Sequence, residues 1–157
     1  LAALIGCSWG VPGLAAFLDD SSALLSTGLR GVSQAVLETA QGPRVETPNG
    51  PILGVSEEGV HLFKGVPYAE PPKRFAAPSP RRPWGPAEVL NASTWAPGCI
   101  GSGTAEEAGE SEDCLTTNLW VPKGAKRNMP VIVYFHGGMN QHGCGHDKMR
   151  QGGKIVQ

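Results

Sequence analysis

The sequence of 157 residues predicts an α/β fold, and three observations support that class. Short runs of β-branched and aromatic residues begin near Arg44 and are separated by proline and glycine, as in an antiparallel meander. Residues 131–135 form a continuous apolar run, typical of a strand buried on both faces of a mostly parallel sheet. Few of the crossover helices that parallel strands need follow that run. The residues therefore predict a small antiparallel β meander leading into the central, mostly parallel sheet of an incomplete domain.

Charge and composition limit the classes of partner. The chain has 13 basic and 14 acidic residues and a formal net charge of −1, which gives no electrostatic case for nucleic-acid binding. With 22 glycines and 14 prolines the chain is predicted to be rich in loops. It contains no apolar stretch of the roughly 20 residues that a membrane-spanning helix needs.

Residues 1–42 are interpreted as a leader with a helical extension. The apolar start fits either the tail of a secretory signal or an ordinary apolar terminus, and both interpretations stay open. Asp19, Asp20 and Ser21 are candidate helix caps, and Gln41-Gly42-Pro43 is predicted to end the helix. Apolar residues recur between them at helical spacing, namely Leu25, Leu29, Val32 and Val36.

The β elements follow from local signals. The turn sequence at residues 48–51, Pro-Asn-Gly-Pro, predicts a hairpin between strands at 44–47 and 52–55. Residues 60–63 predict a third strand, and Trp120 lies in a fourth. Residues 152–157 are interpreted as the start of a further strand.

Two motifs carry a resemblance to a known family. The run Glu-Asp-Cys-Leu-Thr-Thr-Asn-Leu-Trp-Val-Pro at residues 112–122 precedes the apolar strand, which ends in Phe-His-Gly-Gly at 135–138. This order resembles the N-terminal part of the type-B carboxylesterase (cholinesterase-like) family of α/β-hydrolases. Residues 43–157 are accordingly identified as the N-terminal portion of a truncated carboxylesterase domain.

That resemblance implies a carboxylic-ester hydrolase that forms an acyl-serine intermediate on a small-molecule ester. In the family the nucleophilic serine, its histidine base and the acidic residue lie downstream of the position of Gln157, so this chain alone is expected to be inactive. Two alternatives stay open: a non-catalytic adhesion or interaction domain of the same family, and a truncated open reading frame without function.

The resemblance also assigns an oxyanion hole to the glycine turn. Backbone N–H groups of Gly138 and Met139 would stabilise the negative oxygen of the tetrahedral intermediate, with Gly137 as a further candidate. The family normally has a third glycine where this chain has Met139. A side chain there crowds the turn and is strained wherever the backbone requires a positive φ.

Two structural pairs come from the resemblance as well. Cys99 and Cys114 correspond to a family disulfide, against the alternative of two thiols in a reducing compartment. Arg74 and Glu112 correspond to a buried salt bridge. The loop between the two cysteines contains no aromatic residue, which argues against choline esters as substrates.

No metal or other cofactor is predicted. His142, Cys144, His146 and Asp147 lie close together in sequence, but their spacing fits no standard zinc site. The residues at 6–10, Gly-Cys-Ser-Trp-Gly, match the nucleophile-elbow pattern, yet in this fold the elbow follows the oxyanion strand.

Asn91 begins an Asn-Ala-Ser acceptor for N-glycosylation. Together with the predicted disulfide it indicates a protein that is secreted, extracellular or membrane-associated and reaches that location through a secretory route. The oligomeric state and the ester are not predicted.

Overall fold

A computed structural model describes residues 2–6, 36–73, 75–103, 108–126, 129–139, 141–146 and 152–156, with the backbone alone for 2–6. These residues form short strands and one short helix, which are β1 (Ala2–Gly6), β2 (Leu37–Thr39), β3 (Gly42–Val45), β4 (Ile52–Leu53), β5 (Val55–Glu57), β6 (Val60–Pro67), β7 (Ala69–Glu70), β8 (Ser79–Pro80), β9 (Leu90–Asn91), β10 (Gly98–Cys99), β11 (Glu110–Ser111), β12 (Thr116–Pro122), β13 (Val131–Phe135) and α1 (Gly153–Val156).

The main sheet has the strand order β13-β1-β12-β6-β5. Strand β1 is parallel to β13 and antiparallel to β12, whereas β12–β6 and β6–β5 are antiparallel pairs. Ala3 lies opposite both Trp120 in β12 and Ile132 in β13. The segment interpreted as a leader therefore supplies the strand between β12 and β13. Parallel pairing in the described main sheet is confined to β1 and β13.

The predicted hairpin is confirmed. Strands β3 and β4 pair antiparallel, with Arg44 opposite Leu53, in a second sheet of order β2-β3-β4-β9. The N–H of Gly50 donates to the carbonyl oxygen of Thr47 over 3.0 Å, which closes the turn. Gly50 has a φ of 131°, and a Cβ there would overlap the indole of Trp84, so the turn requires glycine.

Two predicted elements are wrong where the structure describes them. The predicted helix lies mostly outside the described residues, but its C-terminal end, Leu37–Thr39, is a strand paired with β3. Residues 37–39 form a strand because their backbone groups pair with β3, although the spacing of the preceding apolar residues predicts a helix. Residues 153–156 form helix α1 rather than a strand, and its Val156 is buried against Trp120 and its neighbours.

The core lies on both faces of β6 and β12, as the two-residue period of strands requires. One face carries the cluster of Val60, Leu62, Trp120 and Val156. The other carries the cluster of Ile52, Phe63, Ala92 and Val121.

Strand β13 forms as predicted, but its predicted burial is wrong for the described chain. All five of its residues are exposed, from 40% at Ile132 to 53% at Val133. The strand lies at the edge of the main sheet and pairs only with β1 among the described residues. An apolar strand at a free edge favours association with other chains. Among the described residues, no helix has the length and apolar character needed to cross a membrane.

Candidate active site

Strand β13 ends in the predicted oxyanion turn. The carbonyl oxygen of Gly138 accepts the N–H of Gln141 at 2.9 Å and that of His142 at 3.3 Å. Gly138 has a φ of 136° and Met139 a φ of 54°. The chain thus reverses immediately after the strand, with two consecutive residues at positive φ.

The two glycines of this turn have different steric roles. A Cβ on Gly138 would overlap the carbonyl oxygen of His142. A Cβ on Gly137 would meet no atom within 4 Å. The turn therefore requires glycine at position 138 and tolerates a side chain at position 137.

The N–H groups of the turn are the predicted oxyanion donors. The hydrogen bonds described at this turn are accepted by the carbonyl oxygens of Gly137 and Gly138, and none of them engages the N–H of Gly138 or Met139. Two adjacent N–H groups without a described acceptor, at the end of a strand, are suited to an anionic oxygen. Their role as an oxyanion hole stays a prediction.

Met139 occupies a backbone conformation that disfavours a side chain. Its φ of 54° lies in the left-handed region, and its side chain is 81% exposed, so little packing offsets the strain. The sequence analysis expects strain if the backbone at this position has a positive φ, and Met139 has such a φ.

Met139→Gly is therefore expected to raise the free energy of unfolding by about 0.5–1 kcal/mol. The change relieves roughly 1–2 kcal/mol of left-handed strain and costs about half of that in backbone entropy. Urea titration of the 157-residue chain measures the difference. Met139→Ala is the control, because it removes the exposed thioether but keeps the Cβ. A gain in Met139→Ala equal to that of the glycine variant would contradict backbone strain as the cause.

The loop closed by the disulfide supports the turn. Cys99 and Cys114 are bonded, which confirms the predicted pair. The N–H of Gly143, just after the turn, donates to the carbonyl oxygen of Ser102 inside that loop over 2.9 Å. The disulfide loop and the turn are thus hydrogen-bonded to each other.

Glu110 organises the disulfide loop from within. Its carboxylate accepts the N–H groups of Gly101 at 2.9 Å and Gly103 at 3.0 Å, and the hydroxyl of Ser102 at 3.2 Å. Donation from those backbone N–H groups, Gly101 first, lowers the pKa of Glu110. No sequence motif identifies this carboxylate, because most of its partners are backbone groups brought together by the loop.

The remaining predicted residues lie outside the turn. Glu112 is exposed, and Arg74 lies outside the described residues, so their salt bridge stays a prediction. Asn91 is exposed on β9, as a glycosylation acceptor must be, and its side-chain oxygen accepts the N–H of Ser93. His146 stacks on Trp95 with ring centroids 5.6 Å apart.

The cluster of histidines and Cys144 shows no metal site in the described part of the chain. No group of three candidate ligands is found there, and Asp147 lies outside it. Trp95 instead links the region to the core: its ring lies 6.3 Å from that of Trp120 and 4.6 Å from Nζ of Lys64.

A Ser–His–Glu cluster for which the sequence has no motif lies between the two larger sheets. His61 Nδ1 is 3.2 Å from Oγ of Ser56 and 3.4 Å from Oε1 of Glu38. Ser56 lies directly opposite His61 in the β5–β6 pair. In a catalytic triad the serine and the carboxylate contact opposite ring nitrogens, whereas here both contact Nδ1. The cluster therefore cannot relay a proton from serine through the ring to the carboxylate.

His61 is instead a source of pH-dependent stability. Burial lowers its pKa below the ordinary value of 6.5, an effect opposed by Glu38 and reinforced by Lys123. Below pH 6.5 the unfolded chain therefore binds more protons than the folded chain at this residue.

We expect the free energy of unfolding to fall as the pH decreases from 6.5 toward the lowered pKa of His61, and His61→Gln to flatten this dependence. Urea titrations at a series of pH values between 7.5 and 5.5 measure it. His142→Gln, which alters an exposed histidine, is the control. An unchanged slope in His61→Gln would show that other groups cause the dependence.

Comparison with known proteins defines the class and then the family. The described part has the fold of an α/β-hydrolase portion: a thermophilic PNB esterase aligns with a TM-score of 0.64 at 36% identity, covering 74% of this chain and 26% of that one. A carboxylesterase of Geobacillus stearothermophilus aligns with a TM-score of 0.63 at 32% identity, covering 72% and 23%. The sequence model of the carboxylesterase family matches residues 41–157. The chain belongs to the carboxylesterase family.

Individual relatives support the same assignment. Para-nitrobenzyl esterase of Bacillus subtilis is 37% identical over 121 residues, which are 71% of this chain and 24% of that protein. Acetylcholinesterase of Bungarus fasciatus is 36% identical over 114 residues, 60% of this chain and 18% of that protein. The chain thus spans about a quarter or less of the length of these relatives.

Proposed function

We propose that this chain supplies the oxyanion turn of a carboxylic-ester hydrolase that acts through an acyl-serine intermediate. The observation that carries the proposal is the turn at Gly138 and Met139, which follows β13 inside the region matched by the family. The proposed substrate is a small-molecule ester, as the family's esterases imply.

The proposed mechanism divides the work between this chain and the rest of a full-length family member. A serine outside these residues attacks the ester carbonyl, a histidine takes its proton and an acidic residue orients the histidine. The N–H groups of Gly138 and Met139 hold the oxyanion of the tetrahedral intermediate, where one donor contributes about 3–4 kcal/mol. We expect these 157 residues on their own, without the triad supplied by the rest of a family member, to be inactive.

We further propose that the protein passes through a secretory route. The disulfide between Cys99 and Cys114 is of the kind that persists in oxidising compartments. The exposed position of Asn91 supports its use as a glycosylation site.

The salt bridge between Arg74 and Glu112 also remains a proposal. Its role would be structural, as a support for the disulfide loop.

A chimera tests the hydrolase proposal. Residues 41–157 of this chain would replace the matching region of the Bacillus subtilis para-nitrobenzyl esterase, whose own remainder supplies the triad. We expect hydrolysis of a para-nitrobenzyl ester well above that of the same chimera with its nucleophilic serine changed to alanine. A chimera with a cooperative thermal transition and no activity above this control would overturn the proposal.

A non-catalytic interaction domain is the second candidate, and Met139 favours it. A strained, exposed side chain stands where the family normally has a glycine donor. If the chimera is inactive and its Met139→Gly variant is active, the methionine disables the hole and the interaction domain is supported. Equal activity of the chimera and its Met139→Gly variant would mean that Met139 gives no support to the interaction domain.

A further inference from the structure

Three cysteines form one buried cluster, and one of them, Cys144, follows the turn at Gly138 and Met139 in the chain. Cys99 and Cys114 form the disulfide, and Cys144 packs with them in one cluster of buried residues. Cys144 has no exposed surface and keeps its thiol, while the two bonded cysteines are each 6% exposed. A thiol is thus held against a disulfide within the fold.

A hydrogen bond fixes this arrangement. Gly143, the residue before Cys144, donates its N–H to the carbonyl oxygen of Ser102 over 2.9 Å. The N–H of Ser102 in turn donates to the carbonyl oxygen of Cys99 over 2.9 Å. The backbone that carries the thiol is therefore connected, through two hydrogen bonds, to the backbone that carries one half of the disulfide.

We propose that Cys144 is an internal thiol–disulfide exchange site. The Cys144 thiol gives up its proton, and its sulfur attacks one sulfur of the Cys99–Cys114 bond. A new S–S bond forms to the attacked cysteine, the old bond breaks, and the displaced cysteine leaves with the electron pair and takes up a proton. One disulfide and one thiol exist before and after, so no external oxidant or reductant is needed.

The packing favours exchange within the molecule over reaction with other thiols. Holding the two reacting groups together replaces a bimolecular encounter with an intramolecular step. Burial of all three sulfurs limits access by glutathione or other small thiols. Because the thiolate is the attacking species, the exchange is expected to be faster at high pH than at low pH.

Exchange would change how the oxyanion turn is held. In the present arrangement the loop after Met139 is joined to the disulfide loop by the hydrogen bond from Gly143 to Ser102. A disulfide from Cys144 to either partner would join the two loops covalently. The cysteine arrangement would then control the position of the turn, whatever reaction the turn serves.

Disulfide mapping of the full 157-residue chain tests the exchange. Cys7→Ser removes the remaining cysteine, which lies outside the described residues. The folded variant is held at pH 6 and at pH 9, quenched with acid, blocked with N-ethylmaleimide, digested at low pH and analysed by mass spectrometry. We expect peptides linked through Cys144 to Cys99 or Cys114, formed faster at pH 9.

Two controls make the outcome decisive. The double variant Cys7→Ser, Cys144→Ser should show only the Cys99–Cys114 link, and the unaltered chain should show the same Cys144 links as the Cys7→Ser variant. Complete blocking of Cys144 with a single Cys99–Cys114 link at both pH values overturns the proposal. Cys144 links that form only in the guanidine-unfolded chain also overturn it, because the folded packing would then have no part in the exchange.

Discussion

Trp120→Ala is expected to lower the free energy of unfolding by about 3–5 kcal/mol, the range for removing a buried tryptophan from a core. Trp120 is 1% exposed and packs with Val60, Leu62 and Val156. A Cβ on Gly153 would lie 3.6 Å from its Cδ1, so the helix α1 packs closely on the same ring. The substitution therefore removes both the largest side chain of the cluster and the ring on which α1 packs.

Urea titration followed by circular dichroism measures this loss. Tyr134→Ala is the matched control, because it shortens an aromatic side chain in the same sheet that is 43% exposed. The control should cost less than about 1 kcal/mol, as expected for a surface substitution outside the core. Equal losses in the two variants would mean that the cluster around Trp120 does not dominate the stability of the chain.

Strands that depend on local signals were predictable from the sequence. The hairpin of β3 and β4 follows from its Pro-Asn-Gly-Pro turn, and β6, β12 and β13 follow from runs of apolar and β-branched residues. Strand β1 and helix α1 were not predictable in this way. Strand β1 exists because β12 and β13 flank it, and α1 packs on Trp120, so both depend on contacts distant in sequence.

The features of the candidate site differ in the same way in how far the sequence predicts them. The glycine turn and the pairing of Cys99 with Cys114 followed from motifs that resemble the family. The carboxylate of Glu110 and the contact between Ser56 and His61 carry no such motif. The surroundings of Glu110 depend on backbone groups that the folded loop brings together. The contact between Ser56 and His61 depends on the register of β5 and β6, which the sequence alone does not specify.

Gly138→Ala is expected to reduce kcat of the para-nitrobenzyl esterase chimera by about 100-fold or more, the effect of losing one oxyanion donor. The added Cβ would overlap the carbonyl oxygen of His142, and the residue has a φ of 136°, where an L side chain is strained. The turn must therefore open, which moves the N–H groups of Gly138 and Met139 from their present positions.

Gly137→Ala is the matched control, since its Cβ would meet no atom within 4 Å. It changes the same residue type one position earlier and should leave kcat within a few fold of the parent chimera. Thermal melts of both variants separate a displaced turn from an unfolded protein. Equal activity in the two variants, with both folded, would show that Gly138 does not position an oxyanion donor. A selective loss in Gly138→Ala would connect the requirement for glycine at this position directly to the chemistry, because the same methyl group is added at both positions and only Gly138 has the close contact and the positive φ.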